Sequence, residues 1–318
     1  MKKMIITLWA VVLPVSCVAP VNPPSDSTTT TTISSPSAQM YGLTVESVNT
    51  TTLVTAVKSF EKRPTVRVVF QPGNSANYYK PALQALKPHA DIVGLLYDST
   101  AMAKATLSQV RDKTTNFLTT LGPLVDVWEI GNEINGEWTD PGYPNRTQAN
   151  PAATSAKVDA MYDLVSAAGK KTAITGMYMP NCFEWPENEM FTWLNQNISA
   201  KVKSGVTYAW ISYYEDNCTN TIYSQSHWNQ IFNQLGALFP SSLVGFGEVG
   251  YSQGNWAGPN NSRLSNSHKI ALMNRYYGLK ISHPRYMGGY FWWYFGQDGI
   301  PVHNPLWEAL NKALLLQG

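Results

Sequence analysis

Eight short runs rich in Val, Ile, Tyr, Phe or Trp recur along the chain and constrain its fold more than any other feature. They span Met40 to Val45, Thr65 to Phe70, Asp91 to Tyr97, Val125 to Gly131, Lys171 to Tyr178, Thr207 to Tyr214, Ser242 to Glu248 and Met287 to Phe295. Most are continuously apolar rather than alternating, the pattern of strands covered on both faces. Amphipathic stretches lie between them, among them Ala101 to Leu121, Ala153 to Ala168, Trp228 to Leu238 and Ser265 to Ile281, and another follows from Pro305 to Leu316. Strands alternating with helices imply a parallel sheet in an α/β fold. Eight such units select the closed (β/α)8 TIM barrel over an open doubly wound sheet. The Gly-rich dinucleotide and phosphate signatures are missing.

Ahead of the first run, Lys2 and Lys3 precede an apolar stretch from Met4 to Val12 and small residues near Cys17. Residues 1–19 therefore predict an export signal, too short to span a membrane as a helix. Leu13-Pro14-Val15-Ser16-Cys17 resembles a bacterial lipoprotein signal, in which Cys17 would carry the lipid. Pro14 stands where an aliphatic residue is usual, so simple cleavage is the other outcome. Residues 20–38 are Pro, Ser and Thr with almost nothing apolar, which predicts a disordered tether ahead of a barrel domain over residues 39–318. The expected location is secreted, or lipid-anchored at a bacterial cell envelope, with that lipid the one contact with membrane. Of three cysteines, Cys182 and Cys218 remain as a candidate disulfide once Cys17 is assigned to the leader, two free thiols being the alternative.

Charged residues make up only 14% of the chain and the formal net charge is +2, so no broad field is available to hold a nucleic acid. The 11 Trp and 17 Tyr offer flat faces with polar tips that suit sugar rings, core packing being their other use. His89, His227, His268, His283 and His303 show no metal-ligand spacing and end no strand, so no metal is expected.

In a barrel of this kind the chemistry sits at the C-terminal ends of the strands. The fourth run leads through Glu129-Ile130-Gly131-Asn132 to Glu133, and the seventh ends at Glu248. Strands four and seven lie across the barrel from each other, so two carboxylates can converge over its axis. Hydrolysis of a glycosidic bond with retention needs such a pair about 5 Å apart, one to attack the anomeric carbon and one to protonate the departing oxygen. A salt bridge at the barrel mouth is the competing use.

Glu129-Ile130-Gly131-Asn132-Glu133 resembles the Glu-x-x-Asn-Glu fourth-strand motif of clan-A glycoside hydrolases. Val244 to Gly250, around Glu248, is similar to the clan's seventh-strand nucleophile motif, and Tyr290 to Phe295 resembles its Trp-bearing eighth strand. The resemblance spans residues 40–318. It implies a cofactor-free retaining β-glycosidase acting on a β-linked oligo- or polysaccharide, with Glu133 as acid/base, Glu248 as nucleophile and Asn132 donating to the sugar 2-hydroxyl. A monomer is expected. The charge on Glu248 is expected to hold the proton on Glu133.

Arg67 is the only arginine within a strand candidate. It resembles the clan's second-strand arginine that holds the nucleophile, and an ion pair with the deep-lying Glu129 suits it equally. On strand six the resemblance implies a tyrosine bonded to the nucleophile. Successive strand residues face opposite ways, which favours Tyr213 inward and Tyr214 outward. Glu215 beside them is either a substrate contact or a solvated loop charge. By the same parity at most one of Trp292 and Trp293 floors the sugar subsite, and Trp293 matches the clan better. Glu137, Trp138 and Tyr143 follow the acid/base as a wall of the cleft. Trp138, Trp185 and Trp256 follow different strands and suggest an extended cleft with endo action.

Two departures keep the family within the clan unassigned: strand six lacks a His-Tyr pair, and Tyr97-Asp98-Ser99 stands where some members carry a histidine after strand three. A non-catalytic carbohydrate-binding barrel is the alternative function, disfavoured by the retained acid pair. A metal-dependent barrel hydrolase is disfavoured by the lack of His-x-His on the first strand.

Overall fold

A strand that is apolar at every position must be covered on both faces, and the computed structural model shows how this is met. It describes residues 39–48, 50–140, 142–143, 145, 150–217, 221–251 and 265–316. The expected leader and tether, with Cys17, Cys218 and Trp256, lie outside the described residues.

Eight strands run parallel in chain order around one closed barrel: β1 (Met40–Val45), β2 (Thr65–Val69), β3 (Asp91–Leu95), β4 (Val127–Glu129), β5 (Lys171–Met177), β6 (Tyr208–Tyr213), β7 (Leu243–Val249) and β8 (Tyr286–Trp292). β8 pairs back onto β1 and closes the ring. Outside it lie α1 (Thr50–Lys58), α2 (Ala76–Leu86), α3 (Ser99–Lys104), α4 (Leu107–Leu121), α5 (Pro151–Ala167), α6 (Met190–Asn197), α7 (Ala200–Gly205), α8 (Gln225–Leu238), α9 (Asn266–Tyr277), α10 (Phe295–Asp298) and α11 (Pro305–Leu315). The fold is the expected (β/α)8 barrel.

Two apolar layers result. Val93, Val127, Ala173, Tyr208, Trp210, Met287 and Phe291 form one cluster, contributed by strands alone, that fills the barrel. Val66, Val68, Ile92, Trp128, Ile211, Val244 and Phe246 belong to the larger layer shared with helix residues such as Leu83, Phe117 and Phe232. Each large side chain buried this way contributes about 1.5–3 kcal/mol, so the strand sequences are held inward and outward at once.

Three local features depart from the sequence reading. The helical stretch Ala101 to Leu121 is two helices, because Thr106 caps α4: its hydroxyl accepts the Gln109 N–H while the Gln109 side chain accepts the Thr106 N–H. β4 is only three residues long, and the chain beyond it turns into the barrel mouth. The third departure is a bulge in β7. Ile211 pairs with Phe246 and Ser212 with Glu248, which leaves Gly247 as an extra residue. Val244 and Phe246 face the helices, so strict alternation would send Glu248 outward as well. The bulge turns it inward.

Gly247 is suited to that place because a Cβ there would lie 2.8 Å from both Thr175 Oγ1 and Trp210 Cβ. Gly247→Ala is expected to lower stability by about 1–3 kcal/mol through overpacking. Urea unfolding of the two proteins compared at equal m-value measures this, and an unchanged midpoint would show that the bulge tolerates the added methyl.

Candidate active site

The base of the barrel mouth is organised by one cation. Arg67 on β2 is wholly buried, and its guanidinium binds Glu129 of β4 through two bonds (Nε to Oε2, 2.6 Å; Nη2 to Oε1, 2.9 Å) and Glu248 of β7 through a third (Nη1 to Oε2, 2.9 Å). Thr175 of β5 donates its hydroxyl to Glu129 Oε1 at 2.6 Å. Buried charges demand such pairing, and the fork of Arg matches two carboxylates at once. The Arg67 guanidinium carbon also sits 5.4 Å from the centre of the Trp293 ring, a cation–π contact that seats the indole over the network.

Above that layer stand Glu133, Glu248 and their partners. Tyr214 donates its hydroxyl to Glu248 Oε1. Ser212, paired with Glu248 in the β6–β7 register, donates to Glu133 Oε1 at 2.7 Å. Glu133 itself has φ +48°, a left-handed conformation that costs a non-glycine residue about 1–3 kcal/mol. Its neighbours enforce it: the Thr175 N–H donates to the Gly131 carbonyl and the Ile134 N–H to the Thr175 carbonyl, so the segment stays fastened to β5 while turning at Glu133. Asn132 is buried and donates through Nδ2 to Asp98 Oδ1 at 3.0 Å.

A cavity of about 390 Å3 opens between these groups, lined by Asp98, Asn132, Glu133, Trp138, Tyr214, Glu248, Trp293 and Tyr294 among others. Both predicted carboxylates therefore face one space, together with Asn132, Trp138 and Trp293. Arg67 lies directly beneath as the partner of both Glu129 and Glu248, so the two uses left open for it coexist.

Several sequence expectations need correction. Tyr213 does not reach Glu248: its ring packs 4.8 Å from Trp228 of α8 and its hydroxyl donates to the Thr221 carbonyl, while Tyr214 faces inward. Tyr208 and Trp210 point into the barrel, and alternation carries the same parity to Ser212 and Tyr214. Trp292 is fully buried and donates its indole N–H to Asp298, away from the cavity. Glu215 is neither a cavity residue nor a solvated charge, being bound to Arg275 and to the Tyr276 hydroxyl on α9. Glu137 is buried and accepts the Trp185 N–H, and Tyr143 packs edge-on against Trp185, so this group braces the loop. Cys182 is disulfide-bonded.

Residues missed from sequence are Asp98, Ser212 and Tyr294. Ser212 carried a readable signal, as the one small polar side chain within β6.

Desolvation by the cavity walls pushes the Glu133 carboxyl up to about 7. The negative charge of Asp98 adds to the rise, whereas the Ser212 and Trp138 hydrogen bonds and the Arg67 charge oppose it. The principal cause is thus desolvation rather than the expected Glu248 charge. Burial and then the charge on Glu133 raise Glu248, against the pull of Arg67 and Tyr214. The two carboxyls titrate as a unit. Arg67 and Tyr214 both donate to Glu248 and so favour the carboxylate there, while the Ser212 hydroxyl can turn to accept from a protonated Glu133. Among the described residues no group of three or more His, Cys, Asp or Glu side chains is arranged to hold a metal ion.

No protein-family model matches the chain, and no curated protein matches it in sequence. Solved structures share its fold. A broad-specificity endoglucanase of glycoside hydrolase family 5, subfamily 4, from Bacteroides salanitronis aligns with 88% of this chain and 96% of its own at 12% identity and a TM-score of 0.56. A family 5 glycoside hydrolase from Prevotella bryantii, crystallised with a xyloglucan tetradecasaccharide, aligns over 88% and 93% at 15% identity and 0.54. A family 1 β-glucosidase from Thermotoga maritima, in complex with isofagomine lactam, aligns over 89% and 99% at 9% identity and 0.53. Families 5 and 1 belong to the clan that the strand motifs resemble, and at these identities the likeness is one of fold.

The Arg67 network makes a prediction about stability. Arg67→Met strands Glu129 as an uncompensated buried charge and is expected to cost about 3–5 kcal/mol. Adding Glu129→Gln should recover most of that loss in chemical unfolding. Equal losses in the single and double variants would argue against charge pairing as the dominant interaction.

Proposed function

We propose that the chain is a retaining β-glycosidase acting on an uncharged β-linked glycan, with Glu248 as nucleophile and Glu133 as general acid and base. The observation that carries this is the unlike environment of two carboxyls in one cavity: Glu248 is gripped by Arg67 and Tyr214, and Glu133 is desolvated and bonded to Ser212. Environments that push two carboxyls apart in role are what acid and nucleophile require.

The chemistry follows from those environments. The Glu248 carboxylate attacks the anomeric carbon as the bond to the leaving oxygen breaks, and that oxygen takes the proton from Glu133. Glu248 is now an ester and uncharged, which leaves Glu133 to ionise. Water then attacks the same carbon, gives its proton to Glu133, and frees Glu248 as a carboxylate. Trp293 offers an indole surface to the ring of the sugar. The cavity lining includes three acids and no Lys, Arg or His, which supports an uncharged glycan and disfavours a uronate.

Endo action on an extracellular polysaccharide belongs to the same proposal. It is supported by the endoglucanase and the xyloglucan-complexed enzyme among the neighbours, and by Trp138 at the cavity wall, 6.4 Å from Phe183. Residues 1–19 and the disulfide bond of Cys182 support export to an oxidising compartment.

Glu133→Ala and Glu248→Ala are each expected to lower kcat about 10³-fold or more on a β-glucan panel. Proton NMR of the first product should show the β-anomer, and an α-anomer would overturn the retaining mechanism. In the active protein kcat/KM should fall as pH rises through about 7, because Glu133 then loses the proton it must donate. A plateau extending beyond pH 9 would exclude Glu133 as the acid.

A further inference from the structure

Asp98 stands just beyond β3 and takes no part in the reaction steps given above. Its carboxylate lines the cavity, accepts the Ser99 N–H at 2.8 Å as the N-cap of α3, and accepts Asn132 Nδ2 at 3.0 Å with the same oxygen, Oδ1. No basic side chain among the described residues pairs with it. Among the described residues, the other titratable and charged groups that face Glu133 or Asp98 are Glu248 on β7, Arg67 on β2, Tyr214 after β6, Tyr294 after β8 and Glu46 after β1. Arg67 is the one cation in this set, and all three of its bonds go to Glu129 and Glu248.

Two consequences follow from a carboxylate that is anchored but not neutralised. A carboxylate accepts and never donates, so the NH2 end of Asn132 must turn towards Asp98. The opposite flip would set two acceptors against each other. Asn132 Oδ1 is accordingly buried without a protein donor, a position tolerable only because the other end of the amide is bound to a full charge. In addition, a negative charge fixed in the cavity wall opposes the appearance of another, and Glu133, which lines the same cavity, directly follows the Asn132 that Asp98 holds.

We propose that Asp98 is a positioning residue for the reaction, one that locks the Asn132 amide in a single orientation and, as an unpaired third carboxylate in the cavity, keeps the transferable proton on Glu133. This rests on the glycosidase reading in taking Glu133 as the acid. It assigns a function to the position after strand three where some members of the clan carry a histidine.

Asp98→Asn is the decisive variant, since asparagine also caps helices well and its side-chain oxygen can still accept from Asn132, so that only the charge is removed. The full chain, with its glutamates carbon-13 labelled at the carboxyl, is titrated by NMR, with Glu133→Gln identifying the Glu133 signal. Asp98→Asn should lower the Glu133 midpoint by about one pH unit, and the falling limb of kcat/KM should move down with it. A folded Asp98→Asn protein with the wild-type midpoint overturns the electrostatic part. Asp98→Ala removes the bond to Asn132 as well, and should lower kcat about tenfold further than Asp98→Asn at the pH optimum of each; equal kcat values overturn the positioning part. If the wild-type chain cleaves no β-glycan while Asp98→Asn still lowers the midpoint, the glycosidase reading fails and the electrostatic role of Asp98 stands.

Discussion

A single buried guanidinium joins three strands of this barrel and decides the state of the groups above it. Arg67 ties β2 to β4 through Glu129 and to β7 through Glu248, with Thr175 of β5 closing the set through its hydroxyl. Desolvating these charges is costly, and only near-complete pairing offsets it. Three N–H groups of Arg67 bond two carboxylates, and the Trp293 indole lies against the guanidinium. The relative heights of β2, β4 and β7 are therefore fixed by an interaction that tolerates little slippage, and the cavity inherits that precision.

The groups above the network are held at some expense. Glu133 adopts a left-handed backbone and gives up hydration, and each of these opposes folding. Nothing in the packing requires a glutamate there. Strain and desolvation at a cavity wall, where an amide or an alanine would fold more easily, fit a group retained for its chemistry. The same holds for the β7 bulge, which places a carboxylate over Arg67 at the expense of regular pairing.

Much of the fold was legible in the sequence because doubly covered strands have no alternative composition, and eight of them leave one closed arrangement. The carboxylates were legible for a related reason, Glu248 ending its run and Glu133 lying two residues beyond the end of another. What resisted was parity. Tyr213 and Tyr214 are chemically equivalent neighbours, and on a strand apolar on both faces nothing marks the inward side except Ser212, whose hydroxyl shares the parity of Tyr214. Alternation from Phe246 points Glu248 outward, and the bulge that turns it to the mouth leaves no mark in the sequence beyond a glycine. Thr106 and Gln109 spell a capping box, a local signal that breaks the longer helical pattern around it. Asp98 registered only as a departure, because its part depends on meeting Asn132 from a different strand.

The double attachment of Arg67 also bears on the covalent step of the proposed reaction. An arginine paired with the nucleophile alone would be left as a bare buried cation once Glu248 became an ester, and the intermediate would carry that penalty. Here two of the three bonds go to Glu129, which takes no part in the chemistry and keeps its charge throughout. Arg67 and Glu129 remain a neutral, hydrogen-bonded pair whether or not Glu248 is charged. Arg67 thus orients the attacking oxygen through one bond without becoming stranded when that oxygen is consumed. On this account Glu129, too deep to touch a sugar, serves the reaction by keeping the barrel electrostatically indifferent to the loss and return of one negative charge above it.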